Sequence, residues 1–263
     1  MSSDIWAIGD AYEAYMGRWS RAVAAEFVTW LALPAGSRWL DVGCGTGALT
    51  FAILQRADPE HVTAIDPSAG FVEHARAAAA GAPATFRVAD AQALPFDDAS
   101  FDAAVSGLVL NFVPEPEGAV VELARTTRAG GTIAVYVWDY AEGMEFIRRF
   151  WDAAVELDPA AAGLDEGARF PICRPEPLER LFREAGLGDV SVGPIEVPTV
   201  FRDFDDLWAP FLGGQGPAPG YATALDATHL DALRERLRSM LPIAEDGSIA
   251  LSARAWSARG LRQ

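Results

Sequence analysis

Between Arg38 and Trp138, short apolar runs alternate with stretches long enough for helices, and this alternation restricts the fold more than any other feature of the chain. Strands are predicted at Arg38–Val42, His61–Ile65, Ala84–Val88, Phe101–Ser106 and Thr132–Trp138. Helices are predicted over Gly47–Arg56, Ala69–Ala80 and Glu117–Arg128, the last stopped by Gly130-Gly131. Strands joined by helices of this length cannot pair as hairpins. They build a parallel sheet with helices on both faces.

The flanks are less regular. Residues 1–33 read as helical and aromatic, with Tyr12, Trp19, Phe27 and Trp30, before Pro34-Ala35-Gly36 breaks the run. Beyond Trp138 comes a helix over Met144–Leu157, a stretch rich in Pro, Asp and Gly to Pro177, and a short helix over Leu178–Ala185. Val190–Phe201 alternates like a strand, and Ile249–Trp256 is predicted as the last one. Between them lie an acidic aromatic segment, the Gly213–Gly220 run and an Arg-rich helix. With no repeat and no separating linker, the expectation is one domain over 1–263. It comprises an N-terminal lid (1–33), a core (34–140), cap and linking helices (141–188 and 203–245) and C-terminal strands (189–202 and 248–257).

Composition removes several classes of function. The net charge is −16 and the basic residues are all arginine, so the chain lacks both the basic footprint of a nucleic-acid binder and a lysine for a Schiff base or a Walker-type loop. Two distant cysteines, Cys44 and Cys173, make no disulfide framework, and three scattered histidines show no metal-ligand spacing; no metal is expected. No apolar run approaches the about 20 residues that span a bilayer, and the N-terminus lacks the features of a secretory signal. A cytoplasmic protein is expected, with no membrane partner, and the Ala, Arg and Gly bias suggests a bacterial, GC-rich source.

The residues that carry chemistry begin at the end of the first strand, in Asp41-Val42-Gly43-Cys44-Gly45-Thr46-Gly47. Glycines let the backbone turn tightly and let a ligand approach it, while the helix behind them presents N–H groups and a positive dipole end. Asp66 closes the second strand, where nucleotide-binding α/β folds place a carboxylate for ribose hydroxyls. The spacing G-x-G-x-G differs from the G-x-G-x-x-G of dinucleotide enzymes. Asp66 before Pro67-Ser68 would also serve as a helix cap.

Together these segments resemble the class I S-adenosylmethionine (SAM)-dependent methyltransferases, in the broad group that includes quinone C-methylating enzymes. Asp41–Gly47 is similar to the family's first motif, Ile65-Asp66-Pro67-Ser68 to the second and Ala89–Phe96 to the third. Phe101–Ser106 is similar to the fourth, and Glu122–Arg125 with Gly130-Gly131-Thr132 to the helix, turn and strand after it. The resemblance implies a doubly wound, Rossmann-like α/β sheet of seven strands with the last antiparallel, plus a helical and loop cap. It implies SAM as cofactor, with the Gly43, Cys44, Gly45 and Gly47 loop and Asp41 at its amino-acid end. Asp66 and Pro67 would lie at the ribose, Asp90 and Ala91 at the adenine, and Ser106 beside the cofactor. Tyr12 and Arg18 belong to a segment similar to the lid of related enzymes, where Arg18 would meet the SAM carboxylate.

The methyl acceptor is expected to be a small molecule. Methyl transfer from a sulfonium is an in-line displacement, in which alignment and desolvation can supply much of the rate. A base is needed only if the acceptor must lose a proton. Asn111, past the fourth strand, and Asp139, past the fifth, are the catalytic candidates. Asn111-Phe112-Val113-Pro114 differs in order from the Asn-Pro-Pro-Tyr motif of amide and nucleobase methyltransferases. Trp138, Tyr140, Trp208 and Phe211 are expected to wall the acceptor pocket, with Gly213–Gly220 as a mobile flank. Two alternatives compete: a SAM-binding protein with no methyl transfer or another SAM reaction, and a nicotinamide-dependent oxidoreductase.

Overall fold

The strands β1 (Arg38–Val42), β2 (His61–Asp66), β3 (Ala84–Val88), β4 (Phe101–Gly107), β5 (Thr127–Trp138), β6 (Gly188–Phe201) and β7 (Ile249–Leu261) pair into one sheet. Their order is β3-β2-β1-β4-β5-β7-β6. The computed structural model describes residues 16–213 and 216–263. The chain separates into two units. A sheet unit gathers Ser20–Val137, Ile172–Ile195 and Ala255–Gln263; a helical unit gathers Met1–Trp19, Trp138–Pro171 and Glu196–Arg254. The sequence reading expects a single capped domain, whereas the boundary between these units runs through β6 and β7.

In the sheet unit β1 pairs in parallel with both β2 and β4, β2 with β3, and β4 with β5. The last strand runs the other way. Gly130 N–H donates to Arg262 O and Arg262 N–H to Gly131 O, the reciprocal exchange of an antiparallel pair. Chain order reverses at β1, which lies between β2 and β4, and the crevice beyond the carboxyl ends of such strands is where open α/β sheets bind ligands. Trp39, Leu40, Asp41 and Val42 are all buried, as expected of a central strand covered on both faces. Edge strand β3 buries only Phe86.

Helix α1 (Arg18–Leu31) packs within the sheet unit through Val23, Ala24, Phe27, Val28 and Leu31, an apolar stripe at helical spacing. Phe27 meets Tyr136 of β5 at 4.6 Å between ring centroids. Ser20–Leu31 is thus core structure, the packing role that an amphipathic helix of this composition can take. Helices α2 (Ala48–Arg56), α3 (Ala69–Ala78) and α4 (Pro116–Thr126) follow the first, second and fourth strands. The fifth strand starts earlier than expected: Thr127 to Gly131 is strand, although Gly130 suggested a helix stop.

The helical unit is organised by α5 (Glu145–Leu157), which buries Phe146, Ile147, Phe150, Trp151, Ala153 and Ala154. Around it lie α6 (Glu166–Arg169), α8 (Phe204–Trp208), α9 (Pro217–Ala224) and α10 (Ala227–Met240); α7 (Pro175–Glu184) belongs to the sheet unit. Phe150 stacks on Phe211 at 4.5 Å and 16°. The Gly213–Gly220 run does not read as a flexible flank. Pro217 sits in the first turn of α9, where its fixed φ suits a helix start, and Ala218 and Pro219 are buried. Gly214 and Gln215 lie outside the described residues. Among the described residues, no helix is long and apolar enough to cross a membrane.

Candidate functional site

The loop after β1 is fastened to β2. The N–H groups of Gly43 and Cys44 both donate to Ile65 O, at 2.8 and 2.9 Å, and Gly47 N–H donates to Cys44 O at 2.8 Å. Gly43 and Gly47 adopt φ of +79° and +100°. A Cβ would lie 2.5 Å from the Val109 side chain at Gly43 and 2.6 Å from the Phe51 ring at Gly47. Left-handed backbone and close neighbours therefore both require glycine here. Gly47 is the N-cap of α2, so the loop delivers the backbone to a helix N-terminus.

Two carboxylates frame this loop. Asp66 accepts from Gly45 N–H at 3.0 Å and from Ser68 N–H at 2.8 Å, tying the end of β2 to the loop and to the start of α3. The helix cap itself is Ser68, whose hydroxyl accepts from Phe71 N–H. Burial raises the Asp66 carboxyl above its ordinary value, and the two backbone donors offset part of that rise. Asp41 is 1% exposed. Its Oδ2 accepts from Thr50 Oγ1 at 2.6 Å, while its Oδ1 is buried without a partner. Burial first, and then the charge of Asp66, push its carboxyl up to about 7 against the opposing Thr50 bond. Cys44 is also buried and its thiol is driven upward by the same burial, so it fills space and is no nucleophile.

Thr50 is a residue that sequence reading missed. It stands on the first turn of α2, but a threonine in a helix carries no signal that it faces a strand-end carboxylate. Leu108 was missed as well: it follows β4 at φ +62°, a conformation for which leucine has no preference. Its N–H is held by Tyr136 O at 2.8 Å. Strained backbone next to a ligand loop is a common feature of functional sites.

The remaining expected residues fall as follows. Ser106 is buried and its hydroxyl donates to Val42 O at 2.7 Å, joining the ends of β4 and β1. Pro67 is exposed beside Asp66. Asp90 is exposed, accepts from Gln92 N–H at 2.9 Å and bridges Ala93, with Ala91 in the turn between. Asn111 lies in a 3-10 turn, Leu110–Phe112, after β4, with its Nδ2 buried and unpartnered.

In the helical unit, Asp139 accepts from Arg254 at 2.6 Å and from Glu142 N–H at 3.1 Å. A base role would require the Arg254 pair to open. Trp138 is 2% exposed, and Tyr140 packs on Phe170 at 5.7 Å. Trp208 and Phe211 are both buried, 6.1 Å apart, in the aromatic cluster around Phe150. Arg18 pairs with Asp206 at 3.2 Å and lies over the rings of Trp19 and Phe201. Tyr12 lies outside the described residues.

Comparison with known proteins meets this geometry from another side. A family model described as a methyltransferase domain matches residues 40–135, the segment from β1 into β5. A demethylmenaquinone methyltransferase of Roseiflexus castenholzii is 33% identical over 172 residues, covering 60% of this chain and 71% of that protein. An uncharacterised protein of Mycobacterium tuberculosis is 35% identical over 136 residues, 51% of this chain and 48% of its own. The match thus spans about half the length of that mycobacterial relative. Among solved structures, the YcgJ protein of Bacillus subtilis has a TM-score of 0.59 at 16% identity, covering 92% of this chain and 98% of its own. A phosphoethanolamine N-methyltransferase of Haemonchus contortus, in complex with S-adenosylhomocysteine (SAH), has a TM-score of 0.59 at 17% identity and covers 97% and 57%. These structures share the fold. The glycine loop, its two carboxylates, the strand order and the sequence match agree: the chain belongs to the class I SAM-dependent methyltransferases.

Proposed function

We propose that the protein transfers a methyl group from SAM to a small organic molecule. The observation that carries this reading is the Asp41 carboxyl, buried and with one oxygen unpartnered, under a loop in which Gly43 and Gly47 leave no room for a side chain. A buried carboxyl with a free acceptor oxygen suits a ligand that brings its own N–H donors and positive charge. Asp41 and the Gly43–Gly47 loop would hold the amino-acid end of SAM, Asp66 the ribose hydroxyls, and Asp90 with Ala91 the adenine edge. Once bound, SAM supplies an electrophilic methyl on a sulfonium that departs as a neutral thioether.

The work left to the protein is alignment and exclusion of water, and little of it requires a base. Asn111, whose Nδ2 is buried without a partner, would orient a bound group. Asp139, held by Arg254, serves as a positioning residue. Arg18 is paired with Asp206 and would have to share or leave that pair to meet the SAM carboxylate. The acidic surface argues for a small acceptor over a nucleic acid.

The test is calorimetry with SAH, coupled to detection of SAH formed from SAM. Asp66→Ala removes an acceptor for the ribose and is expected to weaken SAH about ten- to a hundredfold. A folded Asp66→Ala variant with unchanged affinity would refute the placement of the cofactor. Tight SAM binding with no SAH production over a broad panel of acceptors would favour the alternative of a SAM-binding protein without methyl transfer.

A further inference from the structure

Thr50 is fully buried in the first turn of α2, just past the Gly47 N-cap. The first N–H groups of a helix have no partner within it, and a helical threonine hydroxyl ordinarily donates to the carbonyl one turn back. At Thr50 both donors turn to a residue outside the helix. The hydroxyl donates to Asp41 Oδ2 at 2.6 Å, as short as a charge-assisted bond, and the backbone N–H donates to the same carboxyl. These two bonds fix the rotation of a side chain that stands near the end of β1, directly before the glycine loop. The other titratable groups beside that carboxyl are Asp66, which repels its charge, and the protonated thiol of Cys44. Thr50 is thus the neighbour that favours the charged form. The second oxygen, Oδ1, is buried and unmet, and a native fold rarely leaves such an oxygen without a donor. Asp41, Thr50 and the glycine loop all belong to the sheet unit.

We propose that Thr50 is a positioning residue for the cofactor: by holding Oδ2 of Asp41 it leaves Oδ1 as the acceptor for the ammonium of the ligand's amino-acid end. Thr50 itself touches no ligand in this reading. Its hydroxyl can satisfy one carboxylate oxygen and no more, so the division of labour between the two oxygens is set before any ligand arrives. Without the hydroxyl the carboxyl is free to rotate and loses its strongest support for ionisation, and the ammonium loses an oriented, charged partner. The inference rests on the proposed placement of Asp41 at the amino-acid end of SAM and adds the residue that orients it.

The experiment is calorimetric titration of the full chain with two probes, SAH and 5′-methylthioadenosine, a thioether with the same adenosine but no amino-acid chain. Thr50→Val deletes the hydroxyl and keeps the bulk. It is expected to weaken SAH by about fivefold or more, the size of one hydrogen bond to a charged group, and to change 5′-methylthioadenosine by less than about twofold. Thr50→Ser restores the hydroxyl and should bring SAH back to within about twofold of wild type. In an Asp41→Asn background, Thr50→Val should have little further effect on SAH, because the two residues act as one unit. An equal loss for both probes would overturn the proposal, since a merely structural Thr50 would distort the whole loop. So would unchanged SAH affinity in a folded Thr50→Val variant, no recovery in Thr50→Ser, or a full effect of Thr50→Val without Asp41. If Thr50→Val does not fold, Thr50→Cys, with a weak donor of similar size, must show the same selective loss of SAH. Wild-type protein that binds both probes equally would refute the placement of Asp41 alone, and Thr50 with it. Wild-type protein that binds neither would refute the cofactor reading itself.

Discussion

Asp41, proposed at the amino-acid end of SAM, would couple ligand binding to pH through a single buried carboxyl. Its folded-state value of about 7 lies well above the ordinary carboxylate range, because burial and Asp66 both disfavour its charge. A raised value means that the folded chain holds the proton more tightly than the unfolded one. The stability this gives is full below the ordinary carboxylate range and is lost as pH rises through about 7. SAM, which carries an ammonium and a sulfonium, favours the ionised form. Its affinity is therefore expected to increase from about pH 6 to about pH 8, by up to about tenfold, with protons released on binding. Calorimetry in buffers of different ionisation enthalpy measures both effects. Asp41→Asn should bind more weakly and with a flat pH profile; a flat profile in the wild type would remove Asp41 from the cation's environment. Replacing Gly43 is a separate prediction. Gly43→Ala should destabilise the fold by about 1–3 kcal/mol in chemical denaturation, since it strains the backbone and pushes into Val109 at once.

Elements beyond the sheet depend on a different buried acid. Glu166, at the start of α6, is 2% exposed and accepts from the Trp151 indole on α5 and from the backbone N–H of Ala218 on α9. One carboxyl thereby ties three helices together, and burial pushes it up to about 7. Its neighbour Arg148 pairs with Asp165 at 2.6 Å and attracts the Glu166 charge only as a weaker, second partner. Glu166→Ala leaves two buried donors unmet and is expected to cost about 2–4 kcal/mol by denaturant unfolding. Glu166→Gln keeps an acceptor. It should also remove the Glu166 share of the stability lost as pH rises through about 7, the direction fixed by a raised folded-state value. A pH–stability slope that is the same in Glu166→Gln and wild type would show that Glu166 does not titrate there. The same contact explains why the Gly213–Gly220 run misled as sequence. Gly and Pro mark a loop only when nothing accepts from the first N–H groups of the helix behind them, and Glu166, about fifty residues earlier, cannot be paired with Ala218 from the chain alone. The β1 to β4 strands were legible because their periodicity is local. The start of β5 at Thr127 was not, since its first residues are stabilised by Arg262 at the far end of the chain.

At the scale of the whole molecule, legibility follows the distance over which a feature is encoded. The glycine loop and its two carboxylates lie within Asp41–Asp66 and were readable from spacing, whereas the unpartnered donors at Trp19 and Thr199 come from segments 180 positions apart and show only in three dimensions. Net charge is the property that every segment contributes to: −16 over the chain, with many exposed acids already engaged in local pairs such as Asp102 with Arg128 and Glu156 with Arg236. Such a field attracts cations, and salt screens it within about 10 Å at an ionic strength near 0.1 M. SAM carries one net positive charge at neutral pH, while SAH, having lost the sulfonium, carries none. The protein should therefore bind SAM more weakly as salt rises, with SAH much less affected. Between about 20 mM and about 500 mM NaCl, the ratio of the SAM to the SAH dissociation constant is expected to grow by roughly two- to fivefold, the scale of one surface-level charge interaction. Calorimetric titration of both ligands across that range gives the ratio directly. Parallel salt dependences for the two would mean that the acidic field does not reach the cofactor and that only Asp41 and Asp66 set its electrostatics.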